Sequence, residues 1–262
     1  KKKKKLKGEL YLIPTPLGET EPSLVLPESV LNIIPQLKLF VVEEMRSARR
    51  FLSKTGHKGA IDSLTLLELN EHTKSEEYSA IMDAVLKEGR AGLISEAGLP
   101  AVADPGAGLV ELCHVHDVKV IPLTGPSSLM MALMASGKNG QSFAFNGYLP
   151  VKPEARKSKI KQLERLSVVN GQTQIMIETP YRNNALLNDF ISVCDKGTKL
   201  TVACNIGMSD EYIRTLTMMD WKKVNPDLNK RPAVFILQLW EETRLNYQIW
   251  SFTPIMAALK RS

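Results

Sequence analysis

Cysteine is scarce in this chain of 262 residues. There are three, Cys113, Cys194 and Cys204, an odd number without C-x-x-C spacing. That pattern excludes a disulfide framework and a cysteine-held zinc site, and it fits a reducing, cytoplasmic setting. No apolar run approaches the ~20 residues that a membrane-spanning helix needs, so no membrane partner is expected. The basic, apolar and small-residue succession of a secretory leader does not open the chain, which points away from secretion. Histidine is limited to four residues, and His114 and His116 stand two apart, a spacing that puts them on different faces of the expected helix. No metal is called for. The familiar nucleotide and hydrolase signatures are missing too: G-x-G-x-x-G after the first strand, G-x-x-x-x-G-K-[ST], and the G-x-S-x-G elbow. Charge of one sign is also thin. The net charge is +6, but five positive charges belong to the lysines at 1–5, leaving about +1 for the rest. That run reads as a solvated tail, or as an arm that attracts RNA.

What is present is an ordinary globular composition, 44% hydrophobic and 24% charged, in a chain long enough to bury a sizeable core. Short apolar runs alternate with helical patterns. Strands are expected at Glu9-Leu10-Tyr11-Leu12-Ile13, at Leu39-Phe40-Val41-Val42, and over 61–69, 90–94 and 118–123. Helices are expected over 21–34 and 47–54, from an N-cap at Thr73 with Glu76 closing a capping box, and from Pro105 with Asp104 at its N-cap. This alternation predicts a mostly parallel open sheet with helices on both faces. The second half reads as helix 126–135, an edge strand over 142–148, a basic amphipathic helix over 153–166, and a helix over 186–193. Its further strands are expected over 173–178, 200–205, 212–217 and 233–240. The fold class is therefore α/β, with two α/β domains over 8–123 and 124–243. The second carries a mixed sheet, and a tail over 244–262 holds Trp250, Phe252 and Ile255.

Two breaks stand out. Gly92-Leu93-Ile94-Ser95-Glu96-Ala97-Gly98-Leu99-Pro100-Ala101-Val102-Ala103-Asp104-Pro105-Gly106 runs from a buried strand through small residues, glycine and proline into a helix. Pro122-Leu123-Thr124-Gly125-Pro126-Ser127-Ser128 does the same. Such loops at the ends of neighbouring parallel strands make a crevice where a ligand touches backbone. Neither break contains Lys or Arg, from Ser95 to Gly108 or from Ile121 to Gly137. A triphosphate asks for cations and a helix N-terminus. A crevice of backbone, small side chains and carboxylates instead suits an adenosine joined to a sulfonium and an amino-acid tail, which favours S-adenosylmethionine over ATP or NAD. Each feature also has a plainer reading: a tight strand-to-helix turn at Ser95-Ala97-Gly98-Pro100, an N-cap at Asp104, an interdomain turn at Gly125 to Ser128, and a bare strand end at Glu178-Thr179-Pro180.

In combination these segments resemble the tetrapyrrole methylase superfamily, the class III S-adenosylmethionine-dependent methyltransferases. The likeness is strongest to its ribosomal RNA small subunit methyltransferase I branch, which methylates a cytidine ribose 2′-oxygen, and it runs over roughly residues 8–241. Leu12-Ile13-Pro14-Thr15-Pro16-Leu17-Gly18 is similar to that branch's first strand and loop. Glu43-Glu44-Met45-Arg46 resembles its acidic-Asp-Thr-Arg segment, with Glu44 and Met45 as departures. Glu68-Leu69-Asn70-Glu71 resembles E-x-N-E, Ser95 to Pro100 resembles S-D-A-G-x-P with Glu96 for Asp, and Asp104-Pro105-Gly106 is matched. The Pro122 to Ser128 loop resembles P-L-P-G-P-S-A, and Glu178-Thr179-Pro180-Tyr181-Arg182 resembles E-S-P-H-R. One segment departs: Ala203-Cys204-Asn205-Ile206-Gly207 stands where the branch carries an Ala-Arg-Glu-Leu-Thr-Lys-like run.

The resemblance implies a homodimer of two-domain subunits with the cofactor in the cleft between the domains. It implies cofactor contacts from Pro16 and Leu17, from the loop Gly98, Leu99, Pro100 and Val102, from Ser127 and Ser128, and from Thr179. Ser95, Ala97 and Asp104 belong to the same wall. A hydroxyl acceptor benefits from a general base. The carboxylates at strand ends are Glu43, Glu44, Glu71 and Glu178, with Glu43 and Glu178 foremost. Arg46 and Arg182, with Glu71, are candidates for holding the substrate, an RNA phosphate in the case of the arginines. The basic helix with Lys152, Arg156, Lys157, Lys159, Lys161 and Arg165 adds some weight to an RNA or small-ribosomal-subunit partner. A tetrapyrrole-like small molecule, a protein side chain, or a binding protein without turnover are the alternatives.

Overall fold

The computed structural model describes residues 7–224 and 226–239. The lysine run at 1–5, residues 240–243 and the tail over 244–262 lie outside the described residues.

Five strands build the first sheet: β1 (Gly8–Ile13), β2 (Leu39–Val42), β3 (Thr65–Glu68), β4 (Arg90–Ile94) and β5 (Val118–Pro122). Their order is β3-β2-β4-β1-β5, and every neighbouring pair is parallel. Successive side chains of a strand point to opposite faces. Phe40, Val42, Ile13 and Ile94 therefore pack on one face with Leu26, which follows α1 (Pro22–Val25), and with α2 (Glu28–Leu31) and α3 (Met45–Lys54) through Val30, Phe51 and Leu52. Leu39, Val41, Leu10 and Leu93 pack on the other face with α4 (Ser75–Glu88) and α5 (Gly106–Val115), through Met82, Val85 and Leu109. A strand buried on both sides has no polar position to spare, which is why β2 reads as one continuous apolar run.

The chain then crosses by α6 (Ser128–Ser136) to a second sheet. It contains β6 (Phe143–Tyr148), β7 (Thr173–Glu178), β8 (Lys199–Cys204), β9 (Tyr212–Thr217) and β10 (Ala233–Gln238). The order is β6-β7-β10-β8-β9, with β6 and β7 parallel and the remaining pairs antiparallel. The mixed sheet and the edge placement of β6 are as the sequence led us to expect. α7 (Pro153–Val169), α8 (Asn183–Val193) and α9 (Met218–Trp221) cover one face around Leu163, Phe190 and Trp221. The other face packs α6 through Ala132 and Leu133, and it also receives Leu17 from the loop after β1.

Several boundaries differ from expectation for identifiable reasons. The helix expected over 21–34 is two short helices, because Pro27 interrupts it, and its end is a 3₁₀ turn at Ile34–Gln36. α3 begins at Met45 because Glu44 caps it, accepting from the N–H groups of Arg46 and Ser47 at 2.8 and 2.7 Å. The cap of α4 sits one residue later than the Thr73–Glu76 box, with Glu77 accepting from the Lys74 N–H while Thr73 Oγ1 accepts from the Asn70 N–H. β3 is shorter than the run 61–69, whose start is a 3₁₀ turn at Ile61–Ser63. The basic helix α7 is partly interior: Arg156 is buried against Asp189 at 2.6 Å and donates to the Val151 carbonyl, so its charge is spent inside the fold. It is not available to a nucleic acid.

Candidate functional site

In a parallel sheet the chain leaves all strands at one edge. β4, β1 and β5 are adjacent, so the loops that follow them meet there. The first two loops are tied by a pair of backbone hydrogen bonds, Thr15 N–H to Gly98 O at 2.9 Å and Gly98 N–H to Thr15 O at 3.2 Å. Gly98 sits at φ +77°, a conformation that side chains resist, and a Cβ there would stand 3.1 Å from Leu17. The third loop comes close as well: a Cβ on Gly125 would lie 2.3 Å from the Pro14 ring. Glycine at these two positions is what lets three loops share one edge.

Beyond Gly98 the loop is held by a single carboxylate. Asp104 Oδ1 accepts from the N–H of Ala101 at 2.9 Å and of Gly106 at 2.7 Å. It stands one residue before the helix N-cap, Pro105, rather than at the cap itself. Burial raises the Asp104 pKa, and the nearby Glu43 carboxylate raises it further, against the two N–H groups that lower it. Glu43 is a second staple, its Oε2 accepting from the Glu96 N–H at 2.9 Å. Glu44 is committed to its cap, and the N–H groups of Arg46 and Ser47 hold its carboxyl below the usual range.

A cavity of about 930 Å³ opens between this edge and the second sheet. Its floor is apolar, with Leu17, Ile94, Ile177, Ile206 and Val234, and such a floor with a few polar points is what a small-molecule site needs. The polar points are specific. Thr15 Oγ1, Ser95 Oγ and Glu178 Oε2 are buried without a hydrogen-bond partner, and all three residues line this cavity. A buried polar atom left unpaired costs about 1–3 kcal/mol, so each favours a ligand or water group that reaches it. Glu178 shows the arrangement most clearly. Its side chain is 0% exposed, and its Oε1 takes three donors: the Thr179 N–H at 2.6 Å and Arg182 Nε and Nη2 at 3.0 and 2.6 Å. The other oxygen takes none.

Of the residues expected at the site, Pro16, Leu17, Ser95, Ala97, Ser128 and Glu178 line the cavity. Gly98, Leu99, Pro100, Val102 and Asp104 form the loop behind the lining, Ser127 caps α6 through its side chain, and Thr179 donates to Glu178. Glu43, Arg46, Glu71 and Arg182 are outside the lining. Glu71 is exposed and lies 3.6 Å from His72. The crevice is not free of cations, contrary to expectation: Arg50 and Lys54 line it from α3. The two loops do lack Lys and Arg, but α3 leaves β2 at the same edge and runs alongside them. A period of four from Arg46 would have found both residues. Asn205, Ile206 and Met208 also line it, so the segment that departs from the family's charged run is cavity wall. The thiols of Cys113 and Cys204 are pushed up to about 11 by burial, and that of Cys194 is raised for the same first reason, which leaves no thiolate nucleophile among them. Among the described residues no group of His, Cys, Asp and Glu is placed to hold a metal ion, and no helix is long and apolar enough to cross a membrane.

No protein-family model matches the chain. It is similar to curated proteins named "Ribosomal RNA small subunit methyltransferase I". The protein of that name from Vibrio cholerae is 29% identical over 231 residues, covering 87% of this chain and 75% of the relative. That from Escherichia coli O157:H7 is 27% identical over 235 residues, covering 88% and 78%. Among solved structures, diphthine synthase superposes with a TM-score of 0.62 at 12% identity, covering 88% of this chain and 90% of the other. The methyltransferase CobJ superposes with a TM-score of 0.58 at 13% identity, covering 88% and 94%. The resemblance read from the motifs and the two-sheet α/β architecture both stand in these likenesses.

Proposed function

We propose that this chain is an S-adenosylmethionine-dependent methyltransferase whose acceptor is a ribose 2′-hydroxyl of small-subunit ribosomal RNA. The observation that carries the reading is the set of three unpartnered buried polar atoms on Thr15, Ser95 and Glu178, around one largely apolar cavity. The likeness, along most of the chain, to proteins named as small-subunit ribosomal RNA methyltransferases supports methyl transfer to that RNA.

The cofactor, when bound, supplies a methyl group already activated on a sulfonium. Leu17, Ile94, Ile206 and Val234 would give its adenosine an apolar seat and exclude water from it. Pro16, Ala97 and Ser128 line the loops beside it, and Thr15 and Ser95 offer hydroxyls whose hydrogen bonds are still to be made. Gly98, Leu99, Pro100, Val102 and Asp104 keep that loop in shape, and Thr179 keeps Glu178 in place. Glu178 is the base: its free Oε2 accepts the proton that the acceptor hydroxyl gives up, while Arg182 and Thr179 hold Oε1 fixed. Positioned proton transfer of this kind contributes about 10²–10⁴ in rate. The proposal extends to a cytoplasmic homodimer with domains over 8–123 and 124–243, on the strength of the resemblance.

The test is to incubate the protein with unmethylated small ribosomal subunits and methyl-labelled S-adenosylmethionine, then digest the RNA and identify the labelled nucleoside. Label in a 2′-O-methylated nucleoside supports the reading. Label in protein instead, or none while the cofactor binds, overturns the RNA acceptor. The second outcome would favour binding without turnover, for which the uncharged wall at Asn205 and Ile206 is the specific observation.

A further inference from the structure

α3 carries its cations in two sets. Arg46, Arg50 and Lys54 are spaced i, i+4 and i+8, so they form one ridge with neighbouring Cβ atoms ~5–6 Å apart. Arg49 stands off this ridge and pairs with Asp62. On the ridge, Arg50 and Lys54 line the cavity, and Arg46 is exposed one turn before them. Among the described residues the guanidinium groups of Arg46 and Arg50 have no carboxylate within ion-pair distance. Lys54 pairs with Glu21 at 2.6 Å, but both ends are half-exposed, where water screens the pair and leaves it weak. Glu19 and Glu96 also line the cavity, and neither is paired to the ridge.

Such a ridge does nothing for the helix. Like charges at i, i+4 destabilise it, and Arg46 lies in the first turn, where the helix dipole disfavours a cation. The buried face through Ala48, Phe51 and Leu52 already anchors α3. A row of exposed cations beside a cavity, only one of them in an ion pair and that pair half-exposed, is instead the electrostatic footprint of a polyanion.

We propose that Arg46, Arg50 and Lys54 form the subsite that seats the sugar–phosphate backbone of single-stranded RNA beside the acceptor hydroxyl. This rests on the RNA methyltransferase reading above and adds to it where the strand lies. The arginines carry no sequence information; they fix the register of the strand so that one ribose reaches the cavity. Arg182, held on Glu178, is not part of this subsite.

The experiment compares wild type with Arg46→Ala/Arg50→Ala/Lys54→Ala and with Arg49→Ala, each checked for fold by circular dichroism. Affinity for a short single-stranded RNA is measured against salt concentration, and S-adenosylmethionine binding by calorimetry. Each phosphate contact contributes about 0.7 to the slope of log affinity against log salt for a single strand. The triple variant should therefore lose about two units of slope and bind RNA at least tenfold more weakly at low salt, with cofactor affinity changed far less than RNA affinity, because all three side chains are exposed. Arg49→Ala should match wild type. A triple variant that binds cofactor and shows the wild-type slope overturns the subsite while leaving the methyltransferase reading intact. Wild type that binds cofactor and a polycarboxylate tetrapyrrole but no RNA overturns the RNA reading itself.

Discussion

Arg182 grips a single oxygen of Glu178. Its Nε and Nη2 both reach Oε1, at 3.0 and 2.6 Å, and Oε2 is left buried and unpartnered in a residue that lines the cavity. The pair lies at the end of β7, and the turn Pro180–Arg182 brings the arginine back over the carboxylate four residues behind it. The charge is thus fixed in position without being used up.

Glu178→Gln tests that relationship. The amide keeps the volume and can still meet Arg182 through its oxygen, but it takes no proton. Methyl transfer should fall about 10²–10⁴-fold in kcat, with KM for RNA and affinity for S-adenosylmethionine nearly unchanged. An unchanged kcat removes Glu178 from the role of base.

Arg182→Ala leaves Glu178 buried with neither oxygen held by a side chain. Denaturant unfolding should show a loss of about 1–3 kcal/mol, and Arg182→Lys should recover part of it. Wild-type stability in the alanine variant would mean that the contact is dispensable.

Asp104 gives a pH dependence of defined sign. Its native pKa is raised above the unfolded value, so the native state binds the proton more tightly, and stability falls as pH rises from near the ordinary aspartate value of 3.8 through the raised one. Asp104→Asn keeps an oxygen for the N–H groups of Ala101 and Gly106 but does not ionise. Its melting temperature should lack that decline. A decline identical to wild type would assign it to other groups.

Gly125→Ala puts a methyl 2.3 Å from the Pro14 ring, where neither loop has room to give. Overpacking of this kind costs typically about 1–3 kcal/mol. The melting temperature should drop, and cofactor affinity with it, because the loops after β1 and β5 must separate. A variant of wild-type stability would show that the two loops are not packed as described.

Much of this was legible in the sequence, and what was missed has a physical cause. The strands were readable because a strand buried on both faces of a parallel sheet needs a short apolar run such as Leu39 to Val42. The three loops were readable because close approach demands Gly98, Gly125 and their prolines. Helix starts were less legible. Glu77 closes the cap of α4 in place of Glu76, and Glu44 caps α3 where no cap was read, since any nearby carboxylate can serve an exposed N–H. The cavity's cations were missed because Arg50 and Lys54 lie in no loop motif and reach the site only through the path of α3. The idle oxygen of Glu178 was beyond reach, because it depends on where the Arg182 guanidinium lands.

The central claim is that the cavity between the two sheets is the S-adenosylmethionine site, and calorimetric titration tests it most directly. Wild type and Ala97→Trp, a lining position exposed enough to accept the bulk without unfolding the protein, would be titrated with S-adenosylmethionine, S-adenosylhomocysteine, ATP and NADH. Wild type should bind the first two and not the others, and the tryptophan should abolish binding while the circular dichroism spectrum is unchanged. Binding of ATP or NADH instead, or of S-adenosylmethionine with undiminished affinity in Ala97→Trp, would contradict it.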